Sequence, residues 1–410
     1  MMRIINLTQT QYRNYARLNS HQNFGQTVEY ASLEQNIDKK KLFLGLIDDN
    51  MSVLAATLIL VINKAPGIKE AIAPNGYLID YANYELVRTF TEELKKYLNI
   101  EKVTYLITNP MFKVRTYNKS RHIIENNERI LNNLYNLGYQ NIGYNDDFEK
   151  YDVIIDNNNG LYDIYNNFNR NTKRNITSAL NLGITLHKAK PSEMDQAYEL
   201  FKKKTTNSLY YYKNLMNIYK NDDNLMELFI AKLNPHNFLI NSKKLYEKEK
   251  IKNERLHDKF NKYANKSSEK LINKKINSDK TLEKYRENLN RAIEVNQLYK
   301  EDIIVGTSIV IKNNHEIYFL IDGFLDDYRF IHSSHILKWA IIKKYSHMGY
   351  KIFNLGEIHK EYYNKQSKYY KQYLFKIGFG GNVVEYPPNL LLVINSFAFN
   401  TYQKLKKWKF

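Results

Sequence analysis

Apolar residues along the chain recur with two different periods, and the order in which those periods follow one another comes round twice. Residues 9–20 read as a helix, and 41–48 and 51–64 as two strands joined by a turn at Asp48, Asp49 and Asn50. A third strand follows at 70–80. Between 83 and 98, Leu86, Phe90, Leu94 and Tyr97 or Leu98 share one helical face, with Glu92 four positions ahead of Lys96, so this stretch is a strongly amphipathic helix. A strand at 102–108 closes the set, ending at Asn109-Pro110.

In the second half, helices at 171–182, 192–205 and 210–219 lead to strands at 303–312 and 316–323. A helix at 333–348 and a strand at 351–355 repeat the closing step of the first half. The last strand spans 383–395, and a basic helix at 400–408 completes the pattern. Helix, antiparallel strands, helix, strand is the order of an acetyltransferase-like (GNAT) unit. The expected fold class is α/β (α+β), with one such domain at 1–155 and another at 156–410, which suits 410 residues at roughly 100 to 200 per domain.

Residues 242–300 interrupt that order. They hold no Gly and no Pro and carry 17 Lys and Arg against 9 Asp and Glu. Leu282, Tyr285, Leu289, Ala292, Asn296 and Tyr299 recur at alternating spacings of 3 and 4, the seam of a coiled coil, and Leu245, Leu256, Phe260 and Tyr263 form a facing stripe. The chain is expected to reverse at 265–268 or at Asn277-Ser278-Asp279. An antiparallel helical arm inserted in the second domain follows, either bearing a ligand or standing as a solvated charged pair.

Charge narrows the partners. The chain has 61 Lys and Arg against 43 Asp and Glu, a net of +18, which favours a polyanion: nucleic acid, an anionic membrane surface or a phosphorylated substrate. An AT-rich coding sequence also enriches Lys, Asn, Ile and Tyr. With no Cys there is no disulfide, no thiolate metal site and no cysteine nucleophile. Residues 1–7 lack the apolar core of a secretory signal, and the longest apolar stretch, 53–62, is about half of the roughly 20 residues a spanning helix needs. A cytoplasmic location is expected.

Candidate chemistry is sparse. The stretch Gly323-Phe324-Leu325-Asp326-Asp327-Tyr328-Arg329 holds two acids and no further glycine, a poor cradle for a pyrophosphate, which argues against coenzyme A. His332 and His335 stand three apart at a helix start, where capping or surface roles outweigh metal binding. No H-E-x-x-H, G-x-S-x-G, Walker A or Rossmann pattern occurs, so neither a metal nor a cofactor is expected. The run Leu374-Phe375-Lys376-Ile377-Gly378-Phe379-Gly380-Gly381 is the most distinctive. A Lys beside an aromatic and ahead of glycines can set one ammonium in a crevice to neutralise a developing oxyanion. Alternatively, Phe375 and Phe379 are core and Lys376 faces water.

Four strings together resemble the Fem-type (FemA/FemB/FemX) peptidoglycan bridge aminoacyltransferases: Tyr318-Phe319-Leu320-Ile321-Asp322-Gly323, Ile336-Leu337-Lys338-Trp339-Ala340-Ile341-Ile342, Gly349-Tyr350-Lys351-Ile352-Phe353-Asn354-Leu355-Gly356 and Leu374-Phe375-Lys376-Ile377-Gly378-Phe379-Gly380. Lys173-Arg174-Asn175-Ile176, Phe24-Gly25-Gln26 and Ala73-Pro74-Asn75-Gly76 are similar to further family signatures, so the likeness covers nearly the whole chain. It implies transfer of an amino acid from aminoacyl-tRNA to a stem-peptide amine of a lipid-linked or nucleotide-linked peptidoglycan precursor, with a peripheral approach to the inner face of the membrane. It further implies Phe375 and Lys376 at the catalytic centre and Tyr328, Tyr211 and Lys213 against substrate. Lys259, Lys262, Lys266, Lys270, Lys274 and Lys275, toward the tip of the arm, would meet tRNA. The sequence departs from the family at Glu34, where many members carry Lys, at Asn75, where Arg is frequent, and at 205–213, where Tyr210, Tyr211, Tyr212 and Lys213 replace the usual arginine. Those departures keep two other readings open, a non-catalytic tRNA- or partner-binding paralogue and a CoA-dependent N-acyltransferase.

Overall fold

The computed structural model describes residues 2–33, 39–144, 151–220, 225–262 and 269–407. Glu34, Tyr263, Lys266, Trp408 and the expected reversal at 265–268 lie outside the described residues. Two mixed sheets organise the rest. In space the first runs Arg3–Asn6, Lys40–Ile47, Val53–Ala65, Ile68–Ala73, Tyr105–Thr108, Leu390–Val393, Tyr139–Asn141. Its longest strand, Val53–Ala65, is an almost unbroken apolar run because helices cover both faces. Phe90, Leu94 and Leu98 of the helix Tyr84–Ile100 lie over Leu42, Leu44 and Ile59, and Tyr12 and Ala16 of Gln9–Leu18 lie over Phe43, Leu58 and Leu60.

The second sheet runs Ile184–Lys188, Met226–Leu233, Ile303–Lys312, Glu316–Phe324, Ile352–Ile358, Tyr151–Asp156, Asn382–Glu385, Arg115–Tyr117, Ile123–Asn126. Helices Arg170–Asn181 and Ser333–His347 pack on one face, and Met194–Phe201 and Leu209–Lys220 on the other. In each sheet one parallel pair is bridged by a long helix: Ile68–Ala73 with Tyr105–Thr108, and Glu316–Phe324 with Ile352–Ile358. The closing steps expected from the sequence therefore occupy equivalent places in the two sheets.

Three features differ from the expectation. The strand expected at 383–395 is two strands in different sheets, because Pro387 and Pro388 have no N–H to give a ladder and break it between Glu385 and Leu390. Leu390–Val393 thus completes the first sheet, while Arg115–Tyr117 and Ile123–Asn126 belong to the second, so the sheets exchange segments across the expected boundary at 155. The strand expected at 70–80 stops at Ala73, where Asn75 and Gly76 take left-handed φ values of 59° and 85°.

The third difference lies in the arm, formed by the helices Pro235–Lys262 and Glu269–Leu298 between two adjacent strands of the second sheet. No reversal occurs at Asn277-Ser278-Asp279. The side chains of Ser278 and Asp279 bond across to the facing helix instead of to their own backbone: Ser278 Oγ donates to Glu249 at 2.8 Å, and Asn253 Nδ2 donates to Asp279 at 2.7 Å. Of the buried positions Ser278, Asn288, Ala292 and Val295, Ala292 lies on the expected seam, while Asn288 and Val295 fall one position before its Leu289 and Asn296. Tyr299 lies exposed past the helix end. No helix among the described residues is long and apolar enough to cross a membrane.

One signature string is a structural rivet. Gln26, wholly buried, accepts from Leu58 N–H at 2.7 Å and Tyr12 OH at 2.9 Å and donates to Pro74 carbonyl at 2.8 Å. Gln26→Leu strands the Leu58 amide and the Pro74 carbonyl in an apolar interior, and each such group costs about 1 to 3 kcal/mol. The expected outcome in denaturant melts is a lower midpoint with an unchanged slope.

Candidate active site

The parallel strands Glu316–Phe324 and Ile352–Ile358 pair only through Glu316, Ile317 and Tyr318 against Ile352, Phe353 and Asn354. Beyond that point they part, and a cleft of about 760 Å³ lies along them, lined by Leu320, Asp322, Leu355, Gly356 and Glu357. The start of the helix Ser333–His347 adds His332 and His335, and the helix Tyr370–Ile377 adds Phe375 and Lys376.

Lys376 does not face water. It is only 8% exposed, and its ammonium donates to the Glu357 carbonyl at 2.7 Å. Glycines set this inward aim: a Cβ on Gly378 would meet Thr172 Oγ1 at 2.6 Å, and Asn169 N–H donates to the Gly378 carbonyl at 2.9 Å, so the end of the helix docks directly on the next one. Burial and the neighbouring Lys338 charge bring the Lys376 pKa down to about 8, against the opposing pull of Asp152, Asp322 and Glu357. Phe375 packs edge-on to His335 with ring centroids 4.8 Å apart and also touches Phe379.

Two further cations belong to this site and were not singled out from the sequence. Lys338, 1% exposed, pairs with Asp322 at 2.7 Å and lies 3.9 Å from the centre of the Phe319 ring. Burial alone would raise the Asp322 pKa, but Lys338 and the Ser308 hydroxyl hold it below the usual carboxylate range. A charged residue amid the apolar run Ile336-Leu337-Lys338-Trp339, with an acid at 322 in the neighbouring string, was the legible signal. Lys204 donates to the Asp322 carbonyl at 3.0 Å and lies 4.4 Å from the Phe324 ring centre, its pKa lowered by burial. Its run of three lysines carries no such signal. Burial and neighbouring positive charge bring His332 and His335 down to about 4, so both are neutral at pH 7.

The other residues assigned from the sequence lie elsewhere. Tyr328 is buried and stacks on Phe330 at 6.2 Å, outside the cleft lining, with Arg291 of the arm over the Phe330 ring. Tyr211 and Lys213 stand on the helix Leu209–Lys220 against the opposite face of the sheet, where Tyr211 packs on Tyr212 and Lys213 pairs with Asp195 at 2.7 Å. Lys259, Lys262, Lys270 and Lys274 are exposed on the arm, while Lys275 is held by Asp279. Asn75 receives its own turn: its N–H donates to Asn109 Oδ1 at 2.6 Å.

A match to the FemAB family spans residues 7–407. The chain belongs to the FemAB family. Among its relatives, aminoacyltransferase FemA of Staphylococcus epidermidis is 23% identical over 434 aligned positions that cover all of both chains. Aminoacyltransferase FemA of Staphylococcus aureus (strain MRSA252) is 22% identical over 424, covering 100% of this chain and 99% of that one. The crystal structure of FemX has the same fold, with a TM-score of 0.73 at 16% identity over 97% of this chain and 99% of that one. The four strings that carried the resemblance border or support this same cleft, through the splayed strands, the helix bearing Lys338 and the helix bearing Lys376. This FemAB-family chain is thus an aminoacyltransferase whose most distinctive residues converge in space.

Proposed function

We propose that this cleft passes an amino acid from aminoacyl-tRNA to the stem-peptide amine of a peptidoglycan precursor, with Lys376 as its electrostatic catalyst. One observation carries the reading: a buried ammonium beside a cleft, with one N–H tied to a carbonyl and others left to meet a substrate oxygen. The donor ester is already activated, so the enzyme has to position it and stabilise charge. The amine forms the new C–N bond, the carbonyl oxygen gains negative charge, and the C–O bond to the ribose then breaks, with the proton shed by the amine ending on the departing ribose hydroxyl. Lys376 supplies positive charge where that oxygen forms, and Phe375 and His335 wall the cleft beside it.

A mixed pool of charged tRNA with precursor tests the reading. A tRNA-dependent gain in precursor mass by one or more amino acid residues is expected, and no gain with any amino acid contradicts it. A non-catalytic paralogue would have no use for a buried lysine of lowered pKa at a cleft, and the acidic Asp326-Asp327 turn offers nothing to a CoA pyrophosphate. Work on charged tRNA puts the protein in the cytoplasm, and a lipid-linked precursor would bring it to the inner membrane face.

The arm, read as a coiled coil, is the element that meets tRNA, and its lysines serve phosphate binding more than folding. Lys259, Lys270 and Lys274 are exposed. Replacing these three by Gln should lower the salt slope of tRNA binding by about 2 to 3, at about 0.7 to 0.9 per phosphate, while the melting temperature stays level. Titrations at several salt concentrations check this, and an unchanged slope removes tRNA from the arm.

A further inference from the structure

The strand Ile352–Ile358 loses its register with Tyr151–Asp156 between Asn354 and Glu357, and this bulge lies against Lys376. Gly356 takes a φ of 80° in it, and a Cβ there would stand 3.1 Å from the Phe319 carbonyl and 3.4 Å from Lys376 Nζ. One residue further on, the Glu357 carbonyl receives the Lys376 ammonium at 2.7 Å. A single side chain ties the bulge together. Asn354 Oδ1 accepts from Gly356 N–H at 2.8 Å, and Nδ2 donates to Asp152 Oδ2 at 2.7 Å, with Glu316 as a further partner. Asn354 and Asp152 are both buried, and neither lines the cleft. A buried amide satisfied at both ends has one orientation, so the carbonyl it presents downstream is fixed as well.

We propose that Asn354, braced by Asp152, is a positioning residue for Lys376: it shapes the bulge whose Glu357 carbonyl points the ammonium into the cleft. The proposal rests on Lys376 being the catalytic cation. Without the bulge, a long flexible side chain has no fixed acceptor at that depth, and a displacement of about 1 Å at a reacting centre costs on the order of 10²-fold in rate. Asn354 touches no substrate and acts only through Lys376.

Asn354→Ala and Gly356→Ala attack the bulge from opposite sides, and the second removes no hydrogen-bonding group. Each is expected to lower kcat by about 10- to 100-fold with little change in KM for either substrate. In a protein already carrying Lys376→Met, neither should lower kcat further. A merely structural role would instead reduce both backgrounds by the same factor, and that result overturns the proposal. Competitive labelling with acetic anhydride, read by mass spectrometry on the Lys376 peptide, follows the titration of this amine without any need for activity. Lys338, Asp322 and Glu357 act on Lys376 and are untouched in both variants, whereas Asp152 keeps its Asn354 bond only in Gly356→Ala, the variant that reads the escape from burial alone. The labelling midpoint should therefore rise from about 8 toward that of an ordinary lysine as the ammonium escapes burial. A midpoint that stays or falls in both variants overturns the positioning role. If Lys376→Met transfers at the parent rate, the catalytic reading falls instead, and the labelling midpoint still decides whether Asn354 holds Lys376.

Discussion

Replacing Lys376 by Met is expected to slow transfer about 10²- to 10³-fold, the loss of about 3 to 4 kcal/mol that one well-aimed electrostatic donor contributes to a transition state. Met keeps most of the length and apolar character of the stem, so Phe375, Phe379 and the docked end of the helix keep their packing. Folding should not suffer, because burying an ammonium against a neighbouring Lys338 is itself costly, as the depressed pKa records. Transition-state loss lowers kcat and kcat/KM together, whereas loss of a ground-state phosphate contact raises KM alone. Single-turnover transfer and a thermal melt on the same preparation separate these outcomes. A parent rate from Lys376→Met returns residues 375–379 to the role of ordinary core.

Glu227→Gln carries a large expected loss of stability, about 3 kcal/mol, without an effect on transfer by the folded enzyme. The buried Glu227 carboxylate gathers Lys344 at 2.8 Å, Lys188 at 3.2 Å, Lys312 at 3.5 Å and the Tyr345 hydroxyl. Removing its charge leaves three lysines facing one another around a neutral amide. The value sits at the low end for a broken buried network because Lys188 and Lys344 are partly in water. Burial alone would raise the Glu227 pKa, yet Lys344 and Tyr345 bring it down to about 2 from an ordinary 4.5. A folded pKa below the unfolded one gives stability that is complete above about 4.5 and fades as pH falls toward 2. Urea melts should therefore separate parent from variant at pH 7 and draw them together near pH 2, and equal midpoints at pH 7 contradict the network.

Much of the fold was legible because periodicity reports local burial. The helices Tyr84–Ile100 and Ser333–His347 and the strands Ile303–Lys312 and Glu316–Phe324 fall within a residue or two of the sequence reading. What the sequence hides is which sheet a strand joins. Val383 and Val384, at the centre of Asn382–Glu385, are buried like Leu390, Leu391 and Leu392 of Leu390–Val393, and only the intervening Pro387-Pro388 hints that the two strands part company. Ser278 and Asp279 misled for a similar reason: they are turn formers by local chemistry, but Glu249 and Asn253 on another helix satisfy them.

The site was legible at Phe375 and Lys376 because a lysine framed by aromatics and glycines is locally unusual. Lys338 was harder, since its partner Asp322 is 16 positions away and only the splayed strands bring the pair under the cleft. Tyr211 and Lys213 were assigned by likeness of position along the chain, and the structure sets them on the far face of the sheet.

The most direct test of the account is the pH dependence of single-turnover transfer, measured from about pH 6.5 to about 9 with saturating charged tRNA and precursor. Only the ammonium form of Lys376 can stabilise the oxyanion, and its pKa is near 8. The attacking amine sheds its proton over the same range in both proteins, so the ratio of the parent rate to the Lys376→Met rate should fall as pH rises through about 8. A ratio that stays level through pH 8 would contradict the assignment of this cleft and this lysine to the transfer step.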